Sequence, residues 1–365
     1  MNLPAVDDLI GAQWTVYDSP VDKSLFIVGP PGSGKTTLAV LRARFLAGPD
    51  HRQKVCLVTK NRMLAVLARQ LGDSTFATTT MNKLVSRDYR HRFSTNVPGF
   101  STFTYEWETI VADYERIGAG HLFDHLVIDE GQNLPPGFFA WAHKVGARTL
   151  TIFADEDQST DTQRSSLKEI CAATGIGDPL RLPDNHRNTP EIAAVAEHFH
   201  HSMTLPPAVV QRPASGEVPR LVRLNSLDDL PRRVATRYKN RGDAIGLIVH
   251  RKAEALSIHS ALKKVLPGER VDVYTSDLEK NLEEAIHLLD RGVTILTGEA
   301  VIGLEFNSVF LLDLNRSLPC RDTDAKRRLY MLCARARDVL TLIDFPPHLT
   351  PSQLVDLPSP PVLVR

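Results

Sequence analysis

The sequence predicts an α/β protein with two parallel-sheet domains, and three observations carry that expectation. Short, continuously apolar runs recur along the chain with helix-like segments between them. Strands buried on both faces read this way, because helices cover each side of a parallel sheet. The runs fall into two series: 25-LFIV-28, 55-VCLVT-59, 126-LVIDE-130 and 149-TLTIF-153, then 245-IGLIV-249, 293-VTIL-296, 308-SVFLLDL-314 and 339-VLTLI-343. The 365 residues, 42% hydrophobic and 24% charged, suit two ordinary domains whose cores need no disulfide or structural metal.

The first run enters a glycine-rich turn and then a helical pattern. Residues 75–120 break the strand–helix rhythm and read as a small inserted subdomain. They hold 87-RDYRHRF-93, a candidate basic and aromatic patch that would equally suit a solvated helix face. The stretch 183-PDNHRNTPEI-192 is rich in turn formers and marks a boundary. The expected organisation is residues 1–184 as the first domain, 185–345 as the second, and 346–365 as an irregular proline-rich tail.

Lys+Arg and Asp+Glu both total 43, so no global basic field draws the chain to nucleic acid or an anionic membrane. A nucleic-acid partner needs a local basic lining. The four cysteines, Cys56, Cys171, Cys320 and Cys333, form no CxxC pair and lie mostly in apolar runs. They read as reduced, cytosolic thiols rather than zinc ligands. The first residues, MNLPAVDDLIGAQW, contain acids and no apolar core of signal-peptide length. No run approaches the ~18 apolar residues of a membrane span. A cytoplasmic location follows as the expectation.

Gly29-Pro30-Pro31-Gly32-Ser33-Gly34-Lys35-Thr36 fits G-x-x-x-x-G-K-[ST] at every fixed position, with a strand before it and a helix after. Glycines let the backbone turn so that successive N–H groups point at a β-phosphate, and the helix adds its positive end. Lys35 would neutralise β/γ charge, and Thr36 would ligate Mg²⁺. The second element is 126-LVIDEGQNLP-135, four apolar residues ending in two acids at a strand's carboxyl end, where open α/β sheets bind ligands. Asp129 is placed to hold Mg²⁺ through water, and Glu130 to orient and deprotonate an attacking water.

These motifs, in this order, resemble the UvrD/Rep-like superfamily 1 helicases, over nearly the whole chain. Gln13 looks like the glutamine that reads adenine. 58-VTKNR-62 resembles motif Ia, 129-DEGQ-132 motif II, 154-ADEDQS-159 motif III and 185-NHRNTPEI-192 motif IV. 297-TGEAVIGLEF-306 and 329-LYMLCARA-336 resemble motifs V and VI. The resemblance implies two RecA-like domains with ATP at their interface. It implies that Gln158 senses the γ-phosphate, that Arg187 and Arg335 reach it, and that His186 stacks on adenine while Glu305 holds the ribose. Thr37 and Arg42, on the helix after the glycine loop, complete the nucleotide set. Thr59, Lys60, Asn61, Arg62 and Arg164 are the candidate contacts to single-stranded DNA.

His186 stands where an adenine-stacking tyrosine is usual, and the remaining departures fall mostly on the expected DNA side. Gln163 stands where a base-stacking aromatic is usual. Stacking is worth roughly 1–3 kcal/mol per base, so that loss matters. Motif V has Glu299 for a histidine and Ile302 for a lysine, and motif VI has Ala334 for a threonine. The large second-domain insert of processive members is absent; 271–293 spans that region with one short amphipathic helix. The first function these features imply is a minimal ATP-driven translocase on single-stranded DNA. The second is an ATPase switch of an anti-phage or repair complex that gates a partner nuclease. A small-molecule kinase would leave Gln158, Arg187 and Glu305 unexplained.

Overall fold

The computed structural model describes residues 3–72, 74–101, 104–155, 164–200, 206–275 and 285–365. The chain divides into two compact units, one drawn from residues 2–29 and 34–183, the other from residues 30–33 and 184–365.

The first unit carries strands β1 (Leu25–Val28), β2 (Val55–Thr59), β3 (Ala77–Thr80), β4 (Gly99–Ser101), β5 (Thr104–Tyr105), β6 (Phe123–Ile128), β7 (Ala147–Ala154) and β8 (Leu180–Arg181). Six of them form one sheet in the order β3-β2-β6-β7-β1-β8, parallel throughout. Its helices are α1 (Ala12–Tyr17), α2 (Lys35–Ala47), α3 (Arg62–Leu71), α4 (Met81–Phe93), α5 (Trp107–Arg116), α6 (Pro136–Trp141) and α7 (Leu167–Thr174). Every residue of β1 and β2 is buried, as their unbroken apolar runs require.

The 75–120 stretch differs from the expected insert. Its first residues are β3, paired with β2 in the main sheet. Val85, Tyr89, Ile110 and Tyr114 of α4 and α5 share one buried cluster with Phe26, Leu126 and Trp141. The Tyr114 hydroxyl donates to Asp88 Oδ2 at 2.6 Å, and the Tyr89 hydroxyl donates to Asp113. The aromatics of 87–93 therefore face the core, while Arg87, Arg90 and His91 are exposed. The short β4–β5 pair is antiparallel and separate from the sheet.

The second unit carries β9 (Asp184–Asn185), β10 (Val209–Val210), β11 (Arg220–Arg223), β12 (Ala244–Val249), β13 (Val271–Tyr274), β14 (Gly292–Thr297), β15 (Phe306–Leu311) and β16 (Ala336–Asp344). The last six form a second parallel sheet in the order β11-β16-β15-β12-β14-β13. Its helices are α8 (Pro190–Glu197), α9 (Leu230–Arg241), α10 (Lys252–Val265), α11 (Thr323–Cys333) and α12 (Pro351–Val355). Leu247, Val249, Ile258, Leu262, Val293 and Ile295 are among its core.

The strands without an expected counterpart in these sheets, β3, β8, β11 and β13, are all sheet edges. An edge strand has one neighbour and a wet flank, so it shows no continuous apolar run. Of 271–293, where one short amphipathic helix is expected, residues 276–284 lie outside the described ones. The tail differs from the irregular segment expected: Thr350 and Gln353 form a capping box that starts α12, with Pro351 in its first turn. Leu363 is buried, and Leu221 N–H donates to Val364 O at 2.7 Å, which covers the β11 edge. Among the described residues no helix is long and apolar enough to cross a membrane, and all four cysteines are free thiols.

Candidate functional site

β1 leads directly into the glycine loop. Gly32 and Gly34 take φ of +83° and +87°, the left-handed region that glycine occupies without a Cβ clash. Gly34 is the N-cap of α2, so the helix begins at Lys35. The first N–H groups of a helix have no partner within it, which makes this junction suited to an anion. Gln13 of α1 lies against the same junction: a Cβ on Gly34 would sit 3.3 Å from Gln13 Nε2. The buried Lys35 ammonium donates to Gly29 O at 2.5 Å and to Asp155 Oδ2 at 3.3 Å.

β6 ends in the acid pair. Asp129 is 1% exposed and Glu130 4%. Glu130 has φ +55°, and its N–H donates to Asp129 Oδ1 at 3.0 Å. A left-handed residue with a side chain costs on the order of 1–2 kcal/mol and persists where surroundings force it, often at functional sites. The forcing contacts are visible. Gln132 Nε2 donates to Glu130 Oε2 at 2.5 Å, and Gln132 Oε1 accepts Asp155 N–H at 2.9 Å. Sheet order explains the convergence. β7 pairs with both β6 (Ile128↔Ile152) and β1 (Val28↔Ala154), so Asp155 stands between the acid pair and the glycine loop. One buried chain of contacts thus runs Gly29, Lys35, Asp155, Gln132, Glu130, Asp129.

Burial pushes the Asp129 carboxyl up to about 7, and the Glu130 charge adds to it; Thr36, Lys35 and the Glu130 N–H pull the other way. Among the described residues, Asp129 Oδ2 is buried without a hydrogen-bond partner. This chain of contacts gathers the carboxyl groups of Asp129, Glu130 and Asp155 around the Lys35 ammonium. Clustered carboxyl oxygens, one of them without a hydrogen-bond partner, and a threonine hydroxyl fit a hard divalent cation with oxygen ligands.

The other first-unit candidates are placed as follows. Thr37 is partly buried on α2. Arg42 is fully buried; its guanidinium donates to Tyr17 O, Ser19 O and Pro20 O at 2.6–2.8 Å, which pins that turn to α2. Burial lowers its pKa to about 10, against the pull of Asp18. Thr59 is buried at the end of β2, its Oγ1 without a hydrogen-bond partner among the described residues. Lys60, Asn61 and Arg62 follow, partly exposed, and Asn61 caps α3 by accepting Met63 N–H at 2.8 Å. Arg164 is exposed. Gln158 and Gln163 lie outside the described residues.

In the second unit, His186 N–H donates to Gly32 O at 2.9 Å. Asn185 Oδ1 accepts the N–H groups of Arg187 and Asn188 at 3.0 and 3.1 Å, fixing the turn. Arg187 Nε donates to Glu305 Oε2 at 2.5 Å, and Arg337 Nη1 to Glu305 Oε1 at 3.0 Å. Burial alone would raise the Glu305 pKa, but Arg187 and Arg337 outweigh it and hold the carboxyl below its usual range. Arg335 is 1% exposed and donates to Met331 O and Leu304 O. Sequence reasoning missed Gln132, Asp155 and Arg337 as participants. Gln132 and Asp155 lie inside 129-DEGQ-132 and 154-ADEDQS-159, and Arg337 directly follows 329-LYMLCARA-336, so their places in or beside those stretches were the available signal.

The architecture defines the class: a mixed α/β protein with two six-stranded parallel sheets, consistent with two RecA-like domains. No protein-family profile and no curated protein matches the sequence. Among solved structures the chain is similar to the C-terminal domain of a possible DNA helicase from Lactobacillus plantarum WCFS1, at 21% identity and a TM-score of 0.36. The match covers 49% of this chain and 97% of that one. A likeness that slight decides nothing further about this chain.

Proposed function

We propose that the chain is an ATP hydrolase of the helicase type, coupling hydrolysis to binding of, or movement on, single-stranded DNA. The observation that carries this reading is the buried chain of contacts from Lys35 to Glu130, ending beside the unpartnered oxygen of Asp129. The loop N–H groups and Lys35 hold the β- and γ-phosphates of ATP, and Thr36 and Asp129 hold the magnesium. Magnesium neutralises charge on those phosphates. Glu130 accepts the proton of the attacking water, and Gln132 keeps its carboxylate in place. By the resemblance, Gln158, Arg187 and Arg335 serve the γ-phosphate; Arg187 must first leave Glu305. Thr59, Lys60, Asn61, Arg62 and Arg164 remain the DNA candidates.

An alternative is an ATPase switch gating a partner nuclease. It is favoured by Glu299, an acid where the resemblance implies a histidine of motif V, which pairs with Arg316 and Arg328.

The test is ATP turnover with and without single-stranded oligonucleotide at two salt concentrations, with Lys35→Ala as the silent control. Stimulation that weakens with salt is expected, since phosphate contacts release counterions. If the oligonucleotide changes neither turnover nor nucleotide affinity, the coupling to DNA is wrong. A co-purifying partner whose activity depends on Lys35 would favour the switch.

A further inference from the structure

The short β9–β10 ladder lies outside both main sheets. It brings Arg212 against the turn that carries Arg187. We infer that Arg212, together with Asn188, is a positioning residue: the two side chains join the main chain of Arg187, Arg335 and Arg337 into one mount, which sets the spacing of the three arginines. This rests on the γ-phosphate role proposed above for Arg187 and Arg335, and it adds how that role is set up.

The need arises in the sheet. Phe306 of β15 pairs with Ala336 of β16, and Ser308 with Val339, so Asn307 alone stands against Arg337 and Asp338. One residue facing two is a β-bulge, which interrupts the ladder and re-aims side chains. On its other side β16 is flanked by β11 over Thr341–Asp344, so among the described residues no strand lies against 336–340 there. The carbonyls around the arginines therefore need donors from outside the ladder.

Two side chains supply them. Asn188 Nδ2 donates to Ala334 O at 3.2 Å and to Ala336 O at 2.5 Å, one on each side of Arg335. Arg212 Nη1 donates to Arg187 O at 2.7 Å and to Arg337 O at 2.9 Å, and Arg212 Nη2 donates to Asp338 Oδ1 at 2.7 Å. Asp338 Oδ2 accepts Asn307 Nδ2 at 2.8 Å, across the bulge. Burial works to raise the Asp338 pKa, but the bonds from Asn307 and Arg212 hold it below the usual carboxylate range, so this clamp is charged at neutral pH. Arg212 reaches its place because Val210 pairs with Asn185 and Gln211 N–H donates to Asn185 O at 3.0 Å.

One guanidinium thus ties the main chain of Arg187 to that of Arg337, and one amide ties the same turn to both sides of Arg335. The bonds to these stretches end on main-chain carbonyls. They fix where each arginine starts, not where its guanidinium points. Arg187 can exchange Glu305 for a phosphate oxygen while its main chain stays in place. A planar fork with several donors suits this bridging better than an ammonium would.

The test is steady-state ATP hydrolysis in a double-variant cycle. The Arg212 side chain is 28% exposed, so truncating it leaves the core filled, and thermal unfolding checks the fold of each variant. Arg212→Ala should lower kcat about tenfold and change KM by less than about twofold, since misplacing a group costs rate more than binding. Asp338→Asn, the milder second variant, should lower kcat about threefold with the same KM behaviour. Added to Arg187→Ala, Arg212→Ala should cost less than about twofold further, because most of what it positions is already gone. Losses that multiply in full, or a change confined to KM, overturn the positioning role. A second cycle needs no hydrolysis: the Tm losses of Arg212→Ala and Glu305→Gln should overlap, because both loosen the hold on Arg187 and Arg337. A wild type that hydrolyses nothing removes the function proposed above and leaves this unfolding cycle to decide Arg212; additive Tm losses then overturn it.

Discussion

The two sheets place charge at their carboxyl edges in opposite ways. In the first unit one chain of contacts joins the carboxyl groups of Asp129, Glu130 and Asp155 to the Lys35 ammonium, and among the described residues a buried Asp129 carboxylate oxygen has no hydrogen-bond partner. In the second, Glu305 is clasped by Arg187 and Arg337, and Glu299 and Asp313 offset Arg316 and Arg328. Under the proposed function, the magnesium of ATP would complete the first edge. The acids of the second edge are paired with arginines of the same unit.

The sharpest way to break this contrast is Glu130→Gln. If the first edge is the hydrolytic one, turnover falls by about 10³-fold while ATP affinity is kept, because the water loses its base. Single-turnover phosphate release with a parallel nucleotide-binding titration measures both; normal turnover removes Glu130 from the chemistry. Next is Glu305→Gln, which leaves the buried Arg187 guanidinium without its counter-charge. Losing one partner of a buried pair costs about 3 kcal/mol, read as a Tm lower by about 6–10 °C. Glu299→Gln, at a half-exposed pair, should cost under about 1 kcal/mol. Equal losses at the two positions would erase the distinction between the clasped and the half-exposed acid. The smallest effect is at Gln132→Ala. It removes the bridge between Glu130 and Asp155 and should lower kcat about tenfold with little change in ATP affinity, an effect typical of a residue that orients a ligand. A change confined to KM would make Gln132 a binding residue instead.

What could be read without coordinates follows from where information sits in a chain. β1, β2, β12 and β14 are buried on both faces, so their hydrophobicity alone marks them. The glycine loop is legible because its turn geometry restricts which residues fit at 32 and 34. The edge strands β3 and β11 gave no such mark, since Ala77–Thr80 and Arg220–Arg223 need only half-buried side chains. Gln132 and Asp155 become site residues only because β6, β7 and β1 lie side by side, a fact of register and not of local spacing. Arg42 shows the converse. It sits on the helix after the loop, where a nucleotide contact is reasonable, yet it spends its guanidinium on three backbone carbonyls. Tyr89 and Phe93 likewise read as a surface patch until α5 is packed against them.

The left-handed backbone of Glu130 has a consequence for how this position tolerates variation. Backbone geometry there favours glycine, asparagine or aspartate, whereas proton transfer favours the longer carboxylate. Glu130→Gly would relieve the conformational penalty and remove the base in one step. Selection for robustness and selection for activity therefore pull this residue toward different amino acids, a local form of the stability–activity trade-off.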